Sequence, residues 1–196
     1  MRIKAIVAVT TLAICTAAGA QMGTAPSLGA VGAQADPAKA INIMLTIYEQ
    51  EAMGAVKAMP ADKFNFAPSK ATFAPTQGEK FDGVRTFGQQ AAHVAQANYY
   101  FFMTLSGLKP DRDMKTMADL TKKEDIVDAL AASFAFGHKA IATITPENAF
   151  TVIKGADGLD TRATLATFAV AHGYDHYGQM VEYLRMNGII PPASAK

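Results

Sequence analysis

From Pro37 onward, apolar side chains recur every three or four residues in four stretches separated by Pro- and Gly-rich breaks, the pattern of amphipathic helices. Ile41, Met44, Leu45, Tyr48, Ala52 and Ala55 mark the first, which runs to about Met59 before Pro60. Thr86-Phe87-Gly88-Gln89 has the form of a capping box, in which a Thr hydroxyl and a Gln amide satisfy orphan donors at a helix start. The helix it opens reaches about Ser106. Its stripe of Phe87, Ala91, Val94, Ala95, Phe101, Phe102 and Leu105 is wide enough to be buried on more than one side. Gly107 and Pro110 stop it. Thr121-Lys122-Lys123-Glu124 repeats the capping pattern ahead of Ile126, Val127, Leu130, Phe134 and Ile141, which keep the helical period until Pro146. The next segment, with Gly155, Gly158 and Asp160, reads as a loop. The fourth helix starts near Asp160 or Thr161 and carries Leu165, Phe168, Ala169, Met180 and Leu184 to Asn187, where Gly188 supplies a left-handed end ahead of Pro191-Pro192. Sustained β alternation is found nowhere. Four amphipathic helices of about 20 residues each predict an all-α protein built as a four-helix bundle.

Three segments fall outside that pattern. Residues 60–85 contain Pro60, Pro68, Pro75, Gly78 and Gly83 among Phe64, Phe66, Phe73 and Phe81, which is too aromatic for a free linker and predicts a packed loop over one end of the core. Residues 21–36, rich in Gly, Ala, Ser and Gln without an apolar period, read as a flexible leader. Residues 1–20 have the form of a signal peptide: Arg2 and Lys4, then an apolar run from Ala5 to Cys15, then Ala18-Gly19-Ala20 as the cleavage pattern before Gln21. Leu12-Ala13-Ile14-Cys15 faintly resembles a lipoprotein processing site, with bulky Ile14 where a small residue is expected. The reading is therefore signal peptide 1–20, leader 21–36 and one domain over 37–196, exported to the periplasm or secreted. The apolar run is shorter than the ~20 residues that span a bilayer, and no later stretch reaches that length without charges, so no transmembrane segment is expected in the mature chain.

Composition narrows the function classes. The chain of 196 residues is half apolar and 18% charged with a formal charge of +1, which fits one packed domain rather than a disordered tail. No Lys/Arg cluster is present that could neutralise a row of phosphates, so no nucleic-acid partner is expected. Removal of residues 1–20 takes away Arg2, Lys4 and Cys15, leaving 16 basic residues against 17 acidic and no cysteine at all. Disulfides, cysteine zinc sites and a cysteine nucleophile are thereby excluded from the mature chain. A phosphate-cradling glycine loop and a nucleophilic serine motif are absent as well.

The chemistry rests on four histidines: His93, His138, His172 and His176. His172 and His176 lie one turn apart on a helix face, roughly 6 Å between Cβ atoms, a spacing that lets both reach one metal ion. They continue the apolar face of Leu165, Phe168 and Ala169, where unpartnered imidazoles are costly. His93 lies on the second helix with Gln89, Gln96, Ala97 and Tyr100 on its side. Were these helices neighbours, His93 would complete a three-histidine set with positions left for water or substrate, and all-nitrogen ligation favours Zn²⁺ or Ni²⁺. Hydrogen-bonded structural histidines are the competing reading. His138, near the core edge of the third helix, reads as structural. Asp175 reads as a solvent-facing carboxylate or as an acceptor or base beside the site, and Gln179 as facing the site or joining a surface network.

Two segments carry a family resemblance: Arg85-Thr86-Phe87-Gly88-Gln89-Gln90-Ala91-Ala92-His93, and the run from His172 through His176, Gly178-Gln179 and Tyr183-Leu184-Arg185 to Gly188 and Pro191-Pro192. They resemble the two metal-site motifs of the DinB-like family, and the likeness extends from about residue 37 to the end. It implies a four-helix bundle, often homodimeric, with His93, His172 and His176 as ligands of a divalent metal. Characterised relatives include metal-dependent transferases and isomerases that use cytosolic thiols; an export signal would separate this chain from those thiol pools. The chain also lacks tryptophan, so any aromatic pocket is built from Phe and Tyr. The expectation is an exported metal-dependent hydrolase or transferase of a small molecule. The alternatives are a non-catalytic bundle that binds metal or a small ligand, and an interaction bundle without metal.

Overall fold

The computed structural model describes residues 27–69, 72 and 80–195. The expected signal peptide lies outside these residues, as do Phe73, Pro75 and Gly78 of the long loop. Residues 27–36 form no helix or strand and are exposed. Four long helices follow among the described residues: α1 (Pro37–Ala58), α2 (Phe87–Ser106), α3 (Lys123–Ile141) and α4 (Arg162–Met186). Helix α2 packs on α3 and α4, and α1 packs on the same two, so each long helix has two helical neighbours. The structure is mostly helical, as the apolar periodicity predicts. Among the described residues no helix is long and apolar enough to cross a membrane.

The helix starts show why the sequence breaks where it does. Asp36 accepts from the Lys39 amide at 2.9 Å, and Pro37 occupies the first turn of α1, where its missing N–H costs nothing. The Thr86–Gln89 capping box forms, with both reciprocal bonds present. Two further α2 donors are met by the preceding loop: Phe87 N–H donates to Phe66 O and Gly88 N–H to Phe64 O, each at 2.8 Å. The described start of that loop is therefore packed, with Phe64 buried edge-on against Phe87 and Phe66 edge-on against Tyr183.

Helix α3 departs from expectation. Lys122 occupies the cap position without a side-chain bond, so the Thr121–Glu124 box does not form. A tertiary tie takes its place: Lys123 Nζ donates to the carbonyls of Lys57 and Met59 at the end of α1, at 2.8 and 2.7 Å. Glu124 and Asp125 still place negative charge in the first turn. The helix also ends at Ile141, short of Pro146.

The second departure is the segment after α3, which contains a hairpin rather than a plain loop. Strand β1 (Val152–Ala156) pairs antiparallel with β2 (Leu159–Thr161) through Asp157-Gly158, both with positive φ (54° and 79°), the signature of a two-residue primed turn. A Cβ on Gly155 would fall 1.9 Å from the Leu159 carbonyl oxygen, so this approach requires glycine. Strand β2 feeds directly into α4, where Thr161 and Thr164 cap each other. The hairpin thus fixes where α4 begins.

The core lies between the helices and is centred on Tyr48, Phe87, Tyr99, Phe102 and Phe134, all fully buried. Asn98 donates to Ser133 Oγ, and Ser133 donates in turn to Leu130 O, which satisfies a polar pair inside the α2–α3 contact. Phe168, expected in the core, is 41% exposed; it packs edge-on to Phe101 and beside His172 instead.

Candidate metal centre

Position on two neighbouring helices decides what meets. The capped start of α2 places His93 two turns in, on the face turned to α4, and α4 presents His172 and His176 one turn apart on the opposing face. The three rings converge: centroids are 5.3 Å apart for His93–His172, 4.7 Å for His93–His176 and 4.6 Å for His172–His176. One ring nitrogen from each lies within 4.8 Å of the others, a grouping that could hold a metal ion. The Nε2 atoms of His172 and His176 are 3.2 Å apart. His176 is 6% exposed, while His93 and His172 are half-buried.

The surroundings keep the rings uncharged. Burial pushes the His93 pKa down to about 4, helped by the Arg85 guanidinium and the other two imidazoles. His176 is likewise pushed down to about 4, by burial first and then by His172 and Arg85, against the opposing pull of Asp175. His172 is lowered too, chiefly by burial. Neutral imidazoles carry the lone pairs that metal ligation needs.

Beside the cluster opens a cavity of about 320 Å³ lined by His93, His172, Gln96, Ala97, Tyr100, Phe101, Met114 and Lys115. Gln96 closes one wall by donating to the Met114 carbonyl, which ties the 3-10 turn at Met114–Asp119 to α2. Two of the three histidines face this mostly apolar space.

The other candidate residues divide. His138 is remote from the cluster and joins α3 to α1, with Nδ1 2.6 Å from Asn42 Oδ1 and Nε2 2.9 Å from Glu49 Oε2. Asp175 is exposed and accepts from Gln179 Nε2 at 3.1 Å. Gln179 Oε1 accepts from Gln90 Nε2 at 2.6 Å, and Gln90 Oε1 lies 2.7 Å from His176 Nδ1. Gln90, 2% exposed, is the residue that sequence reasoning passed over. Its signal was present, since it precedes His93 by three and so shares its helix face.

A family model of the DinB superfamily matches residues 44–180. No curated protein matches the chain. The matched span begins within α1, takes in α2 and α3, and includes His93, His172 and His176 on the way to Met180; at this coverage the chain belongs to the DinB superfamily.

Proposed function

We propose that this chain binds one divalent metal ion through His93, His172 and His176 and acts as a metal-dependent hydrolase or transferase on a small molecule held in the adjoining cavity. The observation that carries this reading is the convergence of three neutral imidazoles, one nitrogen each within 4.8 Å, at the wall of an apolar cavity. The donor set fits a borderline ion, and all-nitrogen ligation favours Zn²⁺ or Ni²⁺. A cluster of three protein ligands suits catalysis better than closed structural coordination, which takes four. His138, the remaining histidine, is already engaged by Asn42 and Glu49. An ion so held supplies Lewis-acid chemistry, activating water or polarising a substrate oxygen or sulfur at an open position. The chain's own residues do the rest: Phe101, Tyr100 and Met114 exclude water, and Lys115 supplies positive charge at the cavity.

The same proposal includes a four-helix bundle of α1–α4 over residues 37–196, exported after removal of residues 1–20. The family and the packing of each long helix on two others support the bundle. The signal-type pattern of residues 1–20 supports export to the periplasm or medium.

Elemental analysis of untagged protein, wild type beside His93→Ala, tests the reading. About one equivalent of metal in the wild type, lost in the variant, is expected. A wild type that stays metal-free after reloading at neutral pH overturns it, and a metal-loaded protein without exchangeable coordinated water would turn the reading to storage.

A further inference from the structure

The hydrogen bonds behind His176 have a direction that can be worked out from one end. A carboxylate only accepts, so Asp175 requires the NH₂ of Gln179 to face it. That leaves Gln179 Oε1 as the acceptor for Gln90, which must offer its own NH₂. Gln90 Oε1 is then turned to His176 Nδ1 at 2.7 Å, and an amide oxygen at that distance needs an N–H opposite it. Every amide orientation along the path follows from the charge at its exposed end.

We infer that Asp175, Gln179 and Gln90 form a directional relay of positioning residues that holds His176 in its Nδ1–H tautomer and points the Nε2 lone pair into the histidine cluster. The purpose of the relay rests on the metal reading given above. In the metal-free chain His172 then donates its Nε2–H across the 3.2 Å to His176, so the pair is satisfied while it waits. Which nitrogen of an imidazole carries the proton is set by the bond the other makes, and partners behind a ligating histidine alter metal affinity by about ten- to a hundredfold. Gln90 is nearly inaccessible, so water cannot substitute for it, whereas Asp175 stays in contact with solvent.

The test separates polarity from packing by using Gln179, which touches no histidine among the bonds described. Gln179→Glu can only accept, and should leave His176 in the Nδ1–H form. Gln179→Lys can only donate; it turns the Gln90 oxygen toward itself and should move the His176 proton to Nε2. Gln90→Leu removes the acceptor and should abolish the single tautomer, with roughly ten- to a hundredfold weaker Zn²⁺ binding. Tautomers are read by long-range proton–nitrogen NMR on the metal-free full chain with isotope-labelled histidine at about pH 8, above the ordinary histidine range. Zn²⁺ affinity is read by competition with a chelating dye. An Nε2–H form of His176 in the wild type overturns the relay, as does one common tautomer in Gln179→Glu and Gln179→Lys. If Gln179→Lys does not fold, an unchanged tautomer in Gln90→Leu overturns it equally. No Zn²⁺ uptake by a wild type in the Nδ1–H form defeats the metal reading and leaves the relay standing; uptake with the proton on Nε2 does the reverse.

Discussion

His172 and His176 bring their Nε2 atoms to 3.2 Å of each other from successive turns of α4, with the His93 ring 4.7 Å from that of His176. Two neutral imidazoles at that distance share at most one hydrogen bond, and a cation between the three rings would be held by a nitrogen from each. Metal bound to the folded state alone should therefore stabilise it measurably. At a thousandfold excess over Kd the gain is about 4 kcal/mol, or roughly 8–16 °C in Tm for a chain of this size. Differential scanning fluorimetry of Zn²⁺-loaded protein before and after chelation should show a drop of that order. His172→Ala should sit at the lower Tm with or without metal, and a chelation effect that survives in His172→Ala would place the ion elsewhere.

The same burial that keeps these rings neutral makes the metal-free protein acid-sensitive. His93 and His176 titrate near 4 when folded and near ~6.5 when unfolded, so the unfolded chain takes up protons first as pH falls. Their contribution to stability is full above about 6.5, declines between about 6.5 and 4, and changes no further below. Urea midpoints of chelator-treated protein across that range should fall more steeply for the wild type than for a His93→Gln, His176→Gln double variant. Parallel slopes would show that the two rings are not held neutral by the fold.

His138 supplies a contrast, since its bonds to Asn42 and Glu49 join α3 to α1 away from the cluster. Both His138 and Glu49 are about one-third exposed, at 30% and 31%, so the tie is partly screened. His138→Ala should cost about 1–2 kcal/mol by urea denaturation and leave the metal content unchanged. Loss of metal without loss of stability would make His138 a ligand and not a clasp.

Much of this arrangement is legible in the sequence, because helical period and caps are local. Thr86–Gln89 announces α2, and the four-residue spacing of His172 and His176 announces a shared face. What local pattern does not carry is contact across helices. The α3 start is decided by Lys123 reaching Lys57 and Met59 more than sixty residues away, which no capping motif near Thr121 reveals. Phe168 has the period of a core residue, yet it lies at the edge of the α2–α4 contact beside Phe101 and His172. The hairpin was hidden by the three-residue length of β2, although Asp157-Gly158 is a strong turn signal. Gln90 was hidden because a glutamine among alanines reads as surface until a partner such as Gln179 is found 89 positions on.

Two glycines on α4 allow packing against the site helix to be separated from helix propensity. At Gly173, between the two histidine ligands of the proposed site, a Cβ would lie 2.3–2.4 Å from atoms of the Tyr48 ring, which is itself fully buried against Phe134 and Tyr174. The buried ring or the helix must shift to admit the methyl group, so Gly173→Ala should destabilise by about 1–3 kcal/mol through overpacking. Among the described residues, Gly178 has nothing within 4 Å of such a Cβ, and there the same substitution gains helix propensity, up to about 1 kcal/mol. Urea midpoints for the two alanine variants should thus move in opposite directions from the wild type. Because the Gly173 clash would displace α4 where it carries His172 and His176, that variant should also bind Zn²⁺ more weakly, while Gly178→Ala should match the wild type; equal stability for the two would mean that α4 is not seated on Tyr48.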